Sequence, residues 1–366
     1  MAWLEGWDYR KPITVTDENA DFQSKILIGK TSDAVGEDVD CGGHIADDFD
    51  DLRFTAADGT TLLDYWIESI VDSGGTKLAT VWVENNSTPD TTLYMYYSGT
   101  ETAVSSGDNT FPFLEYFDNL NTEDINGQHG WVAHHLDVGE KAEITEAQYV
   151  SSPKSYRAFS DAAGNHTVGA YRDGASKNKN LEVTMRARMG ESANCNYGHF
   201  AFLEEDSTIC VYLTFFYSGD FRYYDGSMNA LSTPTSWVKD TWYSIKLIVK
   251  DNDTYDIYID GSLKQSNAGM WNGMTNGINR HDAYIGSAGK NVDTELFVDN
   301  IMWRKYAATE PSFAWGNEEE NPIANMKINI SDTFKDAHSV RINIGDSWKA
   351  VTKVQQNIGD SWKDVF

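Results

Sequence analysis

Short runs that alternate apolar and polar residues recur along most of the chain, and they set the fold class. Examples are Lys11–Thr16, Leu78–Val83 and Leu181–Met189. Successive side chains of a strand point to opposite faces of a sheet, so a period of two predicts strands with one buried face. Turn signals such as Asp58-Gly59 separate the runs. The chain is therefore predicted to be all-β, with two β-sandwich domains of the jelly-roll type in series.

The C-terminal part of the chain repeats one phrase three times. The copies are Ile328–Lys335, Ile342–Lys349 and Gln356–Lys363, and each starts 14 residues after the one before it. Each copy has an apolar alternation, a Gly/Ser-Asp turn, an aromatic residue and a lysine, which predicts a short β-hairpin. A lone hairpin is marginal in water, so the repeats predict a tail for assembly or attachment. The aromatic residues predicted to make the assembly contacts are Phe334, Trp348 and Trp362.

Composition shifts divide the chain into three predicted parts. The polar segment 98–110 is rich in Gly and Ser and predicts a linker, so the first sandwich is assigned to residues 1–105. The second sandwich is assigned to residues 106–318. An acidic connector, Glu318–Pro322, opens the tail, which is assigned to residues 319–366.

The first part resembles a known family. Trp7–Val15, Asp58–Glu68 and Thr92–Tyr97 are similar to a β-sandwich domain of unknown function. That family occurs at the N-terminus of archaeal and bacterial surface proteins and of viral proteins, often before a laminin-G or concanavalin-like jelly roll. The resemblance implies a β-sandwich and supplies no catalytic residues.

Residues 111–318 resemble a concanavalin-like jelly roll. The resemblance is carried by Trp242, by the hairpin Asp251–Gly261 and by Phe297–Trp303, which occur in the expected order. In many such domains a Ca²⁺ ion joins an acidic residue of the first strand to an aspartate of the last. The matching positions here are Glu115 or Asp118 and Asp299, so Ca²⁺ is the implied cofactor. The alternative is that Asp299 belongs to a strand-end turn and that Asp118 is solvated.

Exposed aromatic residues of the jelly roll are candidates for sugar binding, because aromatic rings stack on the apolar faces of sugar rings. The candidates are Tyr212, Phe216, Arg222, Tyr223, Tyr224, Trp237 and Trp271, with Asn196 as a hydrogen-bonding neighbour. The alternative is that these rings form the core, as most aromatic residues of a β-sandwich do. Adjacent residues of a strand face opposite sides, so one ring of each pair Phe215-Phe216 and Tyr223-Tyr224 is predicted to point away from the other.

No catalytic motif is found, so the chain is predicted not to be an enzyme. A retaining glycosidase needs two carboxyl groups close together, and no closely alternating run of carboxylates occurs. The pair His134-His135 could serve a lyase, although an isolated histidine pair is more often structural or exposed. Motifs for a nucleophile elbow, for a zinc site and for a phosphate-binding loop are also missing from the sequence.

The net charge of −27 disfavours nucleic acid and anionic lipid as partners. No apolar run is long enough to span a membrane, and the N-terminus has no secretory signal pattern. Two alternatives remain for the cysteines. Cys195 and Cys210 pair across neighbouring strands, or all three, including Cys41, are buried thiols of a reducing compartment.

These features together predict a structural protein of a tailed virus or provirus, in its tail, baseplate or head fibre. The repeats resemble those that end many phage minor tail proteins. The predicted partners are other virion proteins, further copies of the chain (a trimer is one option) and a host-surface glycan bound by the jelly roll. The predicted location is the virion, assembled in the host cytoplasm. The main alternative is a secreted or cell-surface carbohydrate-binding protein, and a third is a polysaccharide-degrading enzyme.

Overall fold

The chain forms two compact units, and the second is inserted into the sequence of the first. A computed structural model describes residues 2–100, 104–163, 167–191 and 193–321, together with six short strands beyond residue 325. The first unit consists of residues 1–110 and 308–366, and the second of residues 111–307. The first boundary lies close to the predicted one at residue 105.

The first unit begins with eight strands and one helical turn. They are β1 (Trp7–Thr16), β2 (Gln23–Gly29), β3 (Val39–Asp40), β4 (Leu52–Thr55), β5 (Leu62–Leu63), β6 (Tyr65–Ser73), β7 (Thr76–Glu84), β8 (Thr92–Gly99) and α1 (Gly107–Thr110). The runs that alternate in the sequence lie within these strands, which confirms the prediction for this unit.

The second unit adds sixteen strands and a 3₁₀ turn at Gln128–Gly130. The strands are β9 (Phe113–Glu115), β10 (Glu123–Asp124), β11 (Val132–His134), β12 (Lys141–Thr145), β13 (Ser155–Ser160), β14 (Val168–Asn178), β15 (Leu181–Met189), β16 (Tyr197–Leu203), β17 (Ile209–Phe216), β18 (Asp220–Tyr224), β19 (Met228–Ala230), β20 (Tyr243–Val249), β21 (Thr254–Ile259), β22 (Ser262–Gly269), β23 (Ile278–Gly286) and β24 (Thr294–Lys305).

After the second unit the chain returns to the first and adds β25 (Ser312–Trp315) and β26 (Glu319–Glu320), both antiparallel to β1. Asn321 continues this attachment, since its side-chain amide donates to the Trp7 carbonyl oxygen at 2.8 Å. The prediction that the second domain ends at residue 318 and that a separate tail begins at 319 is therefore wrong. The alternation of Ser312–Trp315 predicts a strand, but it does not indicate that β1 is its partner.

The first unit is a sandwich of two sheets. One has the order β25-β1-β8-β4-β5, with β26 also on β1, and the other has the order β3-β2-β7-β6. Alternation along β8 shows how the sequence fills both faces. Leu93, Met95 and Tyr97 enter the core, whereas Tyr94 and Tyr96 pack on the opposite face in a separate cluster.

The second unit is a larger sandwich that positions the candidate site. One sheet has the order β10-β12-β13-β24-β15-β20-β21-β22, with β9 on β24. The other has seven strands in the order β11-β14-β23-β16-β17-β18-β19. The core between them includes Phe200, Phe202, Leu213 and Phe215. The all-β prediction is confirmed in both units.

Beyond residue 325, three antiparallel pairs confirm the predicted hairpin strands. They are β27 (Met326–Ile330) with β28 (Thr333–Ala337), β29 (Arg341–Ile344) with β30 (Ser347–Ala350), and β31 (Gln355–Ile358) with β32 (Ser361–Asp364). The side chains of Phe334, Trp348 and Trp362, predicted to make assembly contacts, lie outside the described residues.

The three cysteines are buried and free. This excludes the pairing of Cys195 with Cys210 and confirms the alternative of buried thiols. Within the described residues, no helix has the length and apolar character needed to cross a membrane.

Candidate functional site

The candidate site lies on the face of the seven-stranded sheet that points away from the core, here called the outer face. Strand register places its residues in two rows across the sheet. The first, here called the histidine row, consists of His134, Gly169, Tyr284, His199, Thr214 and Arg222. The second, here called the tyrosine row, consists of Tyr171, Asp282, Ala201 and Tyr212. On each strand that contributes to both rows, the two residues are two positions apart, because the residue between them points into the core.

One end of the outer face carries two hydrogen-bonded pairs. Nε2 of His134 lies 2.9 Å from Oδ1 of Asp282. The hydroxyl oxygens of Tyr212 and Tyr284 lie 3.1 Å apart. Burial raises the pKa of Tyr284 to about 12, although the hydrogen bond from Tyr212 opposes this rise. Tyr284 therefore keeps its proton at neutral pH and can donate it.

The uncharged ring of His199 packs against both tyrosines. Its ring centroid lies 4.8 Å from that of Tyr284 and 5.0 Å from that of Tyr212. Burial lowers the pKa of His199 to about 3, because an imidazolium in this position would lose its hydration. Among the described residues, Nδ1 of His199 has no hydrogen-bond partner. The ring thus supports the face as an uncharged aromatic group.

The opposite end of the face is aromatic and more exposed. Trp271 is 39% exposed, and its ring meets that of Tyr224 edge-on at 4.5 Å and that of Tyr212 at 5.8 Å. Arg222 lies 4.0 Å from the ring centroid of Phe216 and donates to an Asp220 carboxylate oxygen at 2.7 Å. An exposed indole backed by packed rings provides a flat surface held in one orientation.

The structure divides the predicted sugar-binding residues into two groups. The first group lies on the outer face or at its edge and contains Tyr212, Phe216, Arg222, Tyr224 and Trp271. The second lies elsewhere and contains Tyr223, Trp237 and Asn196. The prediction that adjacent rings point to opposite sides of the sheet is confirmed for one pair, since Phe215 is in the core while Phe216 packs against Arg222 on the outer face.

The residues of the second group do not lie on the outer face. Trp237 is a core residue, and its indole Nε1 donates to the Phe216 carbonyl oxygen at 3.0 Å. Tyr223 packs against the core next to Tyr255. Asn196 is buried, and its amide donates to the Lys290 carbonyl oxygen at 3.0 Å, so it holds a loop.

Sequence reasoning missed Asp282, Tyr284, His199 and Tyr171. The only local signal was the alternation of polar and apolar residues along β23, in which Asp282 and Tyr284 occupy every second position. That signal does not show which distant residues join them.

The predicted metal ligands do not all come together. Glu115 accepts hydrogen bonds from His129 Nδ1 at 2.8 Å, from Trp131 Nε1 at 2.9 Å and from Arg172 at 3.1 Å. Burial alone would raise the pKa of Glu115, but these hydrogen bonds and the Arg172 charge lower it below its usual value. Its carboxylate is thus already engaged by protein donors, and Glu115 does not fit the role of a Ca²⁺ ligand.

One loop contacts both Asp118 and Asp299, and Asp299, like Glu115, already accepts hydrogen bonds from protein donors. Lys154 donates its backbone N–H to Asp118 at 3.2 Å, and Val150 and Ser151 donate theirs to Asp299 at 2.7 and 3.0 Å. Burial raises the pKa of Asp299 to about 7 in spite of these bonds, and the charge of Asp118 adds to the rise. In the described part of the chain, no cluster of three or more His, Cys, Asp or Glu side chains is placed to hold a metal ion.

Comparison with known proteins gives one family and several distant folds. Residues 48–134, less than half of the chain, match the family called Domain of unknown function (DUF2341). This confirms in part the resemblance noted for the first domain. No curated protein matches the chain in sequence.

Among solved structures, the chain is similar to a sialidase at 12% identity and a TM-score of 0.44, over 61% of this chain and 21% of the sialidase. A cellulose-induced protein, Cip1, matches at 12% identity and a TM-score of 0.38, over 52% of this chain and 97% of its own. The catalytic domain of a β-glucanase from Podospora anserina matches at 8% identity and a TM-score of 0.35, over 56% of this chain and 89% of its own. The sialidase and the β-glucanase are carbohydrate-active by name, but similarity this distant assigns no function to the chain.

Proposed function

We propose that the second unit binds carbohydrate on the outer face of its seven-stranded sheet. The observation that carries the proposal is Trp271, an exposed indole held against Tyr224 and Tyr212 at the edge of that face. Aromatic rings offer an apolar surface on which a sugar ring can stack. Small-molecule sites typically combine such surfaces with a few well-placed polar groups.

The polar groups beside this aromatic end support the proposal. His134, Asp282, Tyr284 and Arg222 are partly exposed, and hydrogen bonds or ion pairs hold them in place. Ordered donors and acceptors suit the many hydroxyl groups of a sugar, because little entropy is lost when they bind. The histidine row crosses six strands, which gives room for an internal stretch of a polysaccharide.

The test is affinity electrophoresis of the full chain in gels that contain soluble polysaccharides, with neutral and acidic members. We expect Trp271→Ala to weaken binding at least tenfold without changing the thermal unfolding of the second unit. Tyr149→Ala is the matched control, since Tyr149 is 43% exposed in the segment between β12 and β13, strands of the other sheet. Equal binding by wild type and Trp271→Ala would exclude the aromatic end, and lack of binding by the wild type would exclude the function.

The role in a virion is part of the same proposal and is supported by the C-terminal repeats and their three hairpins. On this proposal the chain is a structural component of a tailed virus or provirus that associates with other virion proteins and with itself. The alternative is a secreted or cell-surface carbohydrate-binding protein. A constant number of copies in purified particles would support the first, and recovery only from the cell surface or the medium would support the second.

Binding of Ca²⁺ beside Asp118 and Asp299 also belongs to the proposal. Its support is a buried carboxylate with a raised pKa next to a second carboxylate, an arrangement that a divalent cation would stabilise. The ion would be structural, since it would join the loop at residues 150–154 to strand β24.

A further inference from the structure

Two hydrogen-bonded pairs face each other on the outer face. One joins His134 to Asp282, and the other joins Tyr284 to Tyr212. In the histidine row only Gly169 separates His134 from Tyr284. The two rings approach to 5.9 Å between centroids. A Cβ atom on Gly169 would lie 2.2 Å from that of Tyr284, so glycine is required for this approach.

These pairs have the properties of a general base and a general acid. Because Asp282 accepts the Nε2–H of His134, the lone pair of the imidazole is on Nδ1, where it can accept a proton. A base oriented by a carboxylate is a recurring catalytic arrangement. The hydroxyl of Tyr284 is the proton donor, and its contact with Tyr212 fixes its position.

We propose that the outer face cleaves a polysaccharide containing uronic acid by β-elimination, with His134 as the base and Tyr284 as the acid. This inference rests on the proposed binding of carbohydrate at the same face. Nδ1 of His134 removes the proton from the carbon next to the sugar carboxylate. The electron pair of that C–H bond forms a C=C bond, and the bond from the neighbouring carbon to the glycosidic oxygen breaks.

The remaining steps restore the site. The hydroxyl of Tyr284 gives its proton to the leaving oxygen, and the proton held by His134 then returns to Tyr284 through solvent. One chain becomes two, one of which carries an unsaturated sugar. The sum of the steps consumes no water, oxidant or reductant.

The paired state of Asp282 favours elimination over hydrolysis, and Arg280 supplies a local positive charge on a chain whose net charge of −27 would otherwise repel a polyanion. Glycoside hydrolysis typically uses two carboxyl groups on either side of the bond, and Asp282 is already paired with His134. Arg280 lies two residues before Asp282 on the same face of β23. It holds the exposed carboxylate of Asp173 through two nitrogens at 2.7 and 3.1 Å. Because Asp173 is exposed, a substrate carboxylate can take its place on this guanidinium, which would neutralise that carboxylate while the adjacent proton is removed.

The test incubates the full chain with polygalacturonate, polyglucuronate and alginate, with a neutral β-glucan as the negative control. The readouts are the ultraviolet absorbance of the unsaturated sugar and the length of the polymer. We expect product from at least one polyuronate and none from the glucan. Tyr284→Phe keeps the ring and should lower the rate at saturating polymer about 100-fold or more while thermal unfolding stays unchanged. His134→Gln should act similarly, and Tyr258→Phe, which removes a hydroxyl from the other sheet, is the matched control.

Each other outcome overturns a defined part of the reasoning. Binding of a polyuronate without unsaturated product excludes the elimination and leaves carbohydrate binding intact. Failure to bind any of the four polymers contradicts both. Product formed by Tyr284→Phe at the wild-type rate excludes Tyr284 as the acid, and with it the proposed site.

Discussion

His281 is a titratable side chain enclosed in the core of the second unit, and we expect it to make that unit sensitive to acid. Its ring lies among those of Phe113, Phe202 and Trp303, at centroid distances of 5.7, 4.9 and 6.2 Å. Neither ring nitrogen has a hydrogen-bond partner among the residues that the structure describes. Burial lowers the pKa of His281 from 6.5 to about 3, because a buried imidazolium would lose hydration without gaining a partner.

The size of the effect follows from the difference in pKa between the folded and unfolded chains. As the pH falls below 6.5, the unfolded chain binds a proton at His281, whereas the folded chain does so only near pH 3. The free energy of unfolding therefore decreases as the pH falls through this window. Between pH 7 and pH 5 the loss amounts to about 2 kcal/mol, and the slope approaches about 1.4 kcal/mol per pH unit only below the unfolded pKa of 6.5. His281→Leu removes the titrating group and should abolish this part of the loss.

Urea unfolding at pH 7 and at pH 5 measures the free energy of unfolding. Hydrogen exchange of peptides from β23 then assigns the change to the second unit. Asp299 acts in the opposite direction: with its folded pKa raised to about 7, it adds stability as the pH falls toward 5. Both proteins contain Asp299, so its contribution cancels in the difference between them. Ile285→Val is the control, because it changes packing on the same strand without changing a titratable group. An equal loss of stability between the two pH values in His281→Leu and in wild type would refute the reasoning.

Three further predictions concern other parts of the molecule. Glu115→Gln removes the charge of a buried carboxylate that accepts hydrogen bonds from His129, Trp131 and Arg172, and it should lower the free energy of unfolding of the second unit by about 3 kcal/mol, measured by urea titration. Removal of residues 322–366 should leave the unfolding transitions of both units unchanged in calorimetry and should abolish assembly in light scattering. The deletion begins after Asn321 because this residue is hydrogen-bonded to β1. A chelator should lower the melting temperature of the second unit through loss of bound Ca²⁺, and Asp299→Asn should remove this sensitivity; an unchanged melt in excess chelator would count against the cation.

The strands were predictable because burial of one face of a sheet imposes a period of two on the sequence. The alternating run Leu181–Met189 coincides with β15, and the predicted hairpin Asp251–Gly261 contains β21. The same rule separated Phe215 from Phe216 and Tyr223 from Tyr224. It could not show which ring of each pair faces the core, because both faces of this sheet carry aromatic residues.

The return of the chain to the first unit was not predictable for a related reason. Ser312–Trp315 is a short alternating run like many others, and its pairing with Trp7–Thr16 brings together residues about 300 positions apart. Local pattern specifies a strand, but the choice of neighbour depends on how the whole sandwich closes.

The sequence by itself determined the all-β class, the positions of most strands and the three C-terminal hairpins, because these depend on local alternation and turn residues. The tertiary structure alone decided which residues form the candidate site. His134 and Asp282 are 148 positions apart and Tyr212 and Tyr284 are 72 apart, yet strand register places both pairs on one face. Long-range pairing of strands brings these groups within hydrogen-bonding distance, and no spacing in the sequence encodes it.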